Sequence, residues 1–512
     1  MPETNTIKTI ARGGILFTAG KFGATFLQFF SGLIIIHAID KAEYGLVSLG
    51  QVWMTIAITI SSLGMGSGLP RIIAHYAAKK TREEMDSVLS ASLFLVTGVS
   101  LVIWAGFLGY AVWIKTQNGP GQNFSLVLIF FSFLILPTTL INTLCALFRG
   151  FEKIEPEVIY NSIVPNILKI ILLGAALLMG MALKGVLAAQ VLTLWFSLFL
   201  LIPYASRRMI KNLVVKNLLP FFREVFIFSL PFMGIQVMGQ LLNWIPMLFL
   251  GHFHMPEEIG VFNAPSRLTI LFPIPLLAVS TLYLPIATRH YEENQIEKIK
   301  PLYVTATKWS FFLTLPVSLF AILDSSFVTT TLFGKTYTDA APVLMGLSIA
   351  ALIHSFFGPN GVTLISCGAQ KSVFWSTTLG TGVMTALSLI LIPTSGAWGA
   401  SIAYGIAIAV SNGCISFILY RYYRIHPFKG HYLKPLLLTF FVAIMGYFML
   451  SASENPSWYV HMVYLLTLLM AAFFSPLFTG SLSQDDRDLL NLVKKRIGQK
   501  KRDSGKKDPD GR

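Results

Sequence analysis

Runs of about twenty apolar residues recur along almost the whole chain, separated by short polar stretches. A helix needs roughly 20 such residues to cross the roughly 30 Å hydrocarbon core of a bilayer, where every backbone polar group must be paired within the helix. The chain of 512 residues is therefore expected to be an all-α polytopic membrane protein. Composition agrees, with 54% hydrophobic and 12% charged residues, against roughly 25% charged in soluble proteins. A soluble enzyme is excluded. Reading the runs between polar breaks gives fourteen helices, near 13–38, 45–69, 87–114, 124–148, 158–180, 185–204, 224–251, 260–286, 305–323, 339–366, 372–392, 397–420, 434–452 and 458–480.

The net charge of +15 sets orientation and does not point to nucleic acid. With the N-terminus inside, the inward-facing segments carry 32 of the 39 Lys and Arg residues. The outward loops carry Lys41, Lys115, Lys184 and Lys335, and only Lys21, Lys169 and Arg267 lie within spans. Cytoplasmic loops gather cations, so both termini are expected in the cytoplasm and the chain in the plasma membrane. The first apolar run starts at Gly13 with no small-residue cleavage site, which predicts an uncleaved span. The basic tail from Ser481 cannot bury a core and is expected to be disordered, touching anionic headgroups at most. No loop is long enough for a folded domain. Cys145, Cys367 and Cys414 lack metal-ligand spacing and read as packing residues. The triplet Asn123-Phe124-Ser125 matches a glycosylation acceptor, but such triplets arise by chance.

A search for self-similarity is more informative. A gapless offset of 215 superposes HAIDKAEYG (His37 to Gly45) on HFHMPEEIG (His252 to Gly260). The same offset pairs Leu69-Pro70 with Leu284-Pro285 and His75-Tyr76 with His290-Tyr291. Near offsets pair Gly150 with Gly368, Lys153 with Lys371, Gly185 with Gly399 and Arg207 with Arg421. Helices one to six thus recur as seven to twelve. An even number of spans per copy relates the copies by an axis along the membrane normal. The expected organisation is a six-helix lobe over 1–215, a second over 216–430, two additional helices over 431–480 and the tail over 481–512. Two equivalent bundles enclose a cleft that rocking opens to each face in turn, so transport is the expected activity.

Charged side chains inside a membrane cost about 2.5–3.5 kcal/mol on insertion scales and call for a partner, water or a function. Gly14, Thr18, Lys21, Thr25 and Gln28 form one stripe of the first helix. The 215 offset carries that stripe to Ser229, Met233, Gln236, Gln240 and Asn243. Helix–helix hydrogen bonding accounts for the uncharged members as well as a wet cavity does. Lys169 shares a face with Ser162 and Asn166, and Arg267 follows Ser266 and Asn263. None of the three cations has an acid in its own span, so partners must come from another helix, water or a ligand; snorkelling is the bland alternative for each. All three carry one sign, which implies an anionic cargo. Pro273 and Pro275 must break the eighth span, as a hinge or as a packing kink. His37 and His252 read as interface residues, His354 as a satisfied core histidine and Asp324 as a solvated helix end. No catalytic, metal or cofactor constellation stands out.

With ARGG, AEYGLVSLGQ and SLGMGSGLPRIIAHYAAKK in these places, the chain resembles the polysaccharide flippases of the multidrug/oligosaccharidyl-lipid/polysaccharide exporter superfamily over its whole length. The resemblance implies alternating access through a cationic cavity, with a lipid-linked oligosaccharide as cargo. It also implies that the cavity cations of the first and eighth helices correspond to Lys21 and Arg267. The related lipid II flippases have an Arg on the second helix, where this chain offers Thr55, Thr59 and Ser62. Under this reading Lys21, Lys169 and Arg267 hold phosphates, and Thr18, Thr25, Gln28, Gln236, Gln240 and Asn243 line the path. The protein is expected to work as a monomer among membrane lipids, without cofactor, metal or nucleic acid. The alternative is a cation-coupled multidrug antiporter of the same superfamily, which needs membrane-embedded carboxylates; no Asp or Glu lies mid-span. A membrane enzyme would need a loop able to hold a catalytic constellation.

Overall fold

A computed structural model describes residues 3–79, 82–117, 122–208, 218–427, 433–453 and 456–481, with the side chains of 3–19 outside that description. The expected lobe boundaries at 215 and 430 and the tail beyond Ser481 lie outside the described residues. The described chain is helical: α1 (Glu3–Ala38), α2 (Lys41–Ser61), α3 (Met65–Lys79), α4 (Arg82–Thr116), α5 (Gln122–Gly150), α6 (Val164–Leu178), α7 (Ala182–Arg208), α8 (Leu219–Phe253) and α9 (Pro256–Thr269) come first. Then follow α10 (Ile274–Glu292), α11 (Ile296–Leu323), α12 (Ser325–Phe333), α13 (Ala341–Phe356), α14 (Asn360–Ser366), α15 (Gln370–Tyr423), α16 (Leu433–Ser451) and α17 (Trp458–Phe478). Glu157–Ile163 is π-helical and leads into α6.

Among the described residues, 11 helical stretches are long and apolar enough to cross a bilayer, or up to 13 if each of two bent pairs counts once. α15 has 54 residues, about 80 Å at 1.5 Å per residue and far more than one crossing needs. It is interrupted at Gly396, where φ is 51°. A side chain there would also collide with Glu258, whose Oε2 accepts the Ala397 N–H at 2.8 Å. The expected spans 372–392 and 397–420 lie on either side of this joint. The eighth span breaks between α9 and α10 as its prolines require. Two other expected spans are also interrupted. The run 45–69 ends α2 at Ser61 and restarts at Met65 through Leu63 and Gly64, both at positive φ. The run 339–366 breaks between Phe356 and Asn360.

Contacts divide the chain into two units. The first holds Met1–Leu271, Ser325–Leu347 and Thr377–Val410; the second holds Phe272–Asp324, Ser348–Ser376 and Ser411–Arg512. One core of the first unit gathers Ile35, Tyr44, Phe131, Leu250, Phe262 and Phe333, and another gathers Met65, Leu69, Ile73, Leu144 and Phe148. The second unit packs Tyr283, Ile299, Tyr303, Leu364 and Leu419. In that unit α17 lies along α11 through Trp309 with Phe473 and Phe320 with Tyr464. Asp324 corrects an expectation: it is no solvated helix end, because it pairs with His461 at the start of α17. Burying a carboxylate demands such a partner. His354 is satisfied by the Asn412 amide, 3.3 Å away. Trp458, 69% exposed, Tyr459 and Trp113 stand at span ends, where amphipathic rings suit the headgroup level.

Residues that the 215 offset superposes meet one another in the first unit. Gly45 on α2 packs against Pro256 and Gly260 on α9, and Gly260 packs against Lys41 and Gly45. A Cβ on Gly45 would lie 1.7 Å from the Pro256 carbonyl oxygen, so only glycine permits this approach. One turn on, the Asn263 amide donates to the Ser48 hydroxyl at 2.5 Å and to the Tyr44 hydroxyl at 3.2 Å. Surfaces that touch their own equivalents are the mark of a two-fold contact. Lys41 Nζ is 2.6 Å from Asp339, joining the same helix end to Lys335–Ala340.

Candidate functional site

Within the π-helical segment the Val164 N–H donates to the Ile159 carbonyl, and Pro165 follows. It has no N–H for the Tyr160 carbonyl five residues back, and the Ser197 hydroxyl donates to that carbonyl instead. The widened turn carries Glu157 into the protein, where it is 4% exposed. Arg149 Nη1, at the end of α5, donates to Glu157 Oε2 at 2.7 Å, and Lys21 Nζ on α1 lies 3.3 Å from Oε1. Arg149 Nη2 donates to the Gly66 carbonyl at 2.7 Å. That carbonyl lacks its helical donor because the residue four on is Pro70. Arg149 thus pairs with a buried carboxylate and serves a carbonyl that Pro70 leaves without its donor, and the three charges sum to one positive.

A second cluster stands about 16 Å farther along α1 at roughly 1.5 Å per residue, level with Gly32. A Cβ on Gly32 would lie 3.6 Å from Arg267 Cδ. Arg267 Nη2 donates to Gln51 Oε1 at 2.6 Å, and the Gln51 amide donates to Gln190 Oε1 at 3.3 Å. Lys169 on α6 feels the charge of Arg267. Among the described residues neither of these two cations makes an ion pair. Like charges inside a membrane repel and are poorly solvated.

The structure therefore places Lys169 within electrostatic range of Arg267 and gives Lys21 a separate, acid-paired place in the same unit. Thr25 donates to the Lys21 carbonyl at 2.9 Å, within its own helix. Gln28 is exposed. Gln236 stands near the first cluster: its Nε2 would be 3.5 Å from a Cβ on Gly66. Gln240 and Asn243 are exposed neighbours, the Asn243 amide donating to Gln240 Oε1 at 3.5 Å. Ser229, from the same stripe, is buried against Gly68 of α3. The Thr18 side chain lies outside the described residues. Pro273 and Pro275 open α10, where the chain has passed into the second unit. Sequence reading missed Glu157, Arg149, Gln51 and Gln190. Thr55, Thr59 and Ser62 all donate to carbonyls of α2 itself.

Over residues 10–291 the sequence matches the model of a family described as polysaccharide biosynthesis protein. The chain is 22% identical over 219 residues to the teichuronic acid biosynthesis protein TuaB of Bacillus subtilis, covering 41% of this chain and 44% of TuaB. It thus spans less than half the length of that relative. It is 20% identical over 409 residues to the probable low-salt glycan biosynthesis flippase Agl15 of Haloferax volcanii, covering 79% and 82%. Among solved structures, the lipid II flippase MurJ in an inward closed conformation superposes with a TM-score of 0.73 at 17% identity, over 93% of this chain and 100% of that one. An inward-facing multidrug resistance transporter of the MATE family, within the MOP superfamily, gives 0.62 at 17% identity over 80% and 97%. At these identities the likeness shows the fold, which this chain shares with those two structures. The family model takes in more than half of the sequence, and the chain belongs to the polysaccharide biosynthesis protein family.

Proposed function

We propose that the protein is a flippase that carries a phosphate- or diphosphate-linked oligosaccharide on a polyprenyl or dolichyl lipid across the plasma membrane by alternating access. Both termini lie in the cytoplasm in this reading. The carrying observation is that Lys169 and Arg267, both inside membrane spans and within electrostatic range of each other, make no ion pair among the described residues. Such a pair has two donors ready for phosphate oxygens, and charge-assisted hydrogen bonds to phosphate are the strong ones. Gln51 and Gln190 extend the donor set toward the ester or sugar oxygens, while Gln28, Gln236, Gln240 and Asn243 offer polar contacts along α1 and α8. Pro273 and Pro275 supply a hinge. The names borne by Agl15, a glycan biosynthesis flippase, and MurJ, a lipid II flippase, support the same cargo class.

A cation-coupled antiporter fits less well. The carboxylate at the site, Glu157, is held between two cations and offers no free negative charge to an organic cation. The test is translocation of a fluorescent polyprenyl diphosphate oligosaccharide in vesicles that contain the purified protein. The Lys21→Ala, Arg267→Ala double variant should lose at least about tenfold in rate. A full rate in that variant, or protein-dependent efflux of an organic cation, overturns the assignment.

A further inference from the structure

We propose that Glu157 is a built-in competitor for the cargo phosphate: its carboxylate occupies Lys21 when the site is empty, and the arriving phosphate takes Lys21 from it. The proposal rests on the flippase reading above and assigns a role to a residue that reading leaves unused. The two ion pairs of Glu157 are unequal. Arg149 is close at 2.7 Å and is fixed on its other side by the Gly66 carbonyl. Lys21 is farther at 3.3 Å, its side chain is 45% exposed, and it comes from a different helix. A competing anion therefore meets Lys21 first.

Exchange at Lys21 is feasible because it strands nothing. Removing one partner of a buried pair is costly when it leaves an uncompensated charge, but here Arg149 stays with Glu157. Phosphate also brings more charge and more acceptor oxygens than the carboxylate it replaces. The converse exchange aids release. Lys169 and Arg267 lie about 16 Å along α1 from this point, farther than one diphosphate reaches, so cargo held at one place must be let go before it occupies the other. Glu157 returning to Lys21 supplies that release. π-helical turns such as the one that presents Glu157 recur at functional sites.

The experiment measures binding of a fluorescent polyprenyl diphosphate sugar to the purified full-length chain in detergent, for wild type, Glu157→Gln, Lys21→Met and the double variant. Glu157→Gln should bind about tenfold tighter than wild type, and the same change should alter affinity less than about twofold when Lys21 is already Met. A merely structural Glu157 would act alike in both backgrounds, and that result overturns the proposal, as does unchanged or weaker binding by Glu157→Gln. Inorganic pyrophosphate should compete for the lipid more strongly in Glu157→Gln than in wild type, and no more strongly in the double variant than in Lys21→Met; an equal gain in both backgrounds overturns it too. If Glu157→Gln does not fold, Glu157→Asp, which draws the carboxylate back by one methylene, should tighten binding about threefold, and no gain is again a refutation. Failure of this proposal leaves wild-type flipping intact, whereas failure of the flippase reading abolishes translocation of the lipid by the wild type itself.

Discussion

Lys169 and Arg267 illustrate how a pair of side chains defines chemistry that neither has alone. Each by itself could snorkel; together, with the Gln51 carbonyl on Arg267 and no ion pair to either among the described residues, their charge is left for an anion to neutralise. Lys169→Glu is an informative change, because it would place a carboxylate beside Arg267 and neutralise the pair internally. The melting temperature in detergent should stay level or rise, while affinity for a polyprenyl diphosphate falls at least about tenfold. Loss of stability together with binding would argue against the like-charge arrangement. All three cations were legible in the sequence because a charge within an apolar run is conspicuous. Glu157 was not, since it sits at the edge of its run beside the loop cations Arg149 and Lys153, and its link to Lys21 crosses 136 positions of sequence. Gln51 escaped notice for a similar reason: its meaning comes from α9 and α7, not from its neighbours on α2.

Helices and their interruptions were read with uneven success, and the difference is chemical. Proline removes a hydrogen-bond donor, so the break that precedes α10 could be deduced from Pro273 and Pro275. The interruption after Ser61 has no proline at the break; Leu63 and Gly64 take positive φ, and glycine is common enough in membrane helices to hide it. Pro165 predicts a lost bond but not that Ser197 serves the Tyr160 carbonyl instead. If the α9–α10 break is a working hinge, Pro273→Ala with Pro275→Ala should slow flipping about tenfold while leaving the binding constant within about twofold. An equal rate with both prolines removed would make the break a packing feature only.

For the molecule as a whole, hydropathy gave the class correctly: the described residues are helical, with many spans long and apolar enough to cross a bilayer and a fold shared with MurJ. Orientation is open to a direct check. With native cysteines replaced, single cysteines at Lys335 and Lys371 should react with a membrane-impermeant reagent from opposite faces of intact cells, Lys335 from outside and Lys371 only after permeabilisation; the reverse pattern would invert the topology. The 215 offset gave no sign that α2 and α9 touch; that Gly45 meets Gly260 needed coordinates. The two cations on α6 and α9 carry an energetic corollary for the proposed carrier. An unladen transporter whose own charges repel is eased by loading and strained again by unloading. Departure of the headgroup is then the uphill leg of the cycle, and whatever consumes the lipid-linked sugar on the far side of the bilayer sets the direction of travel.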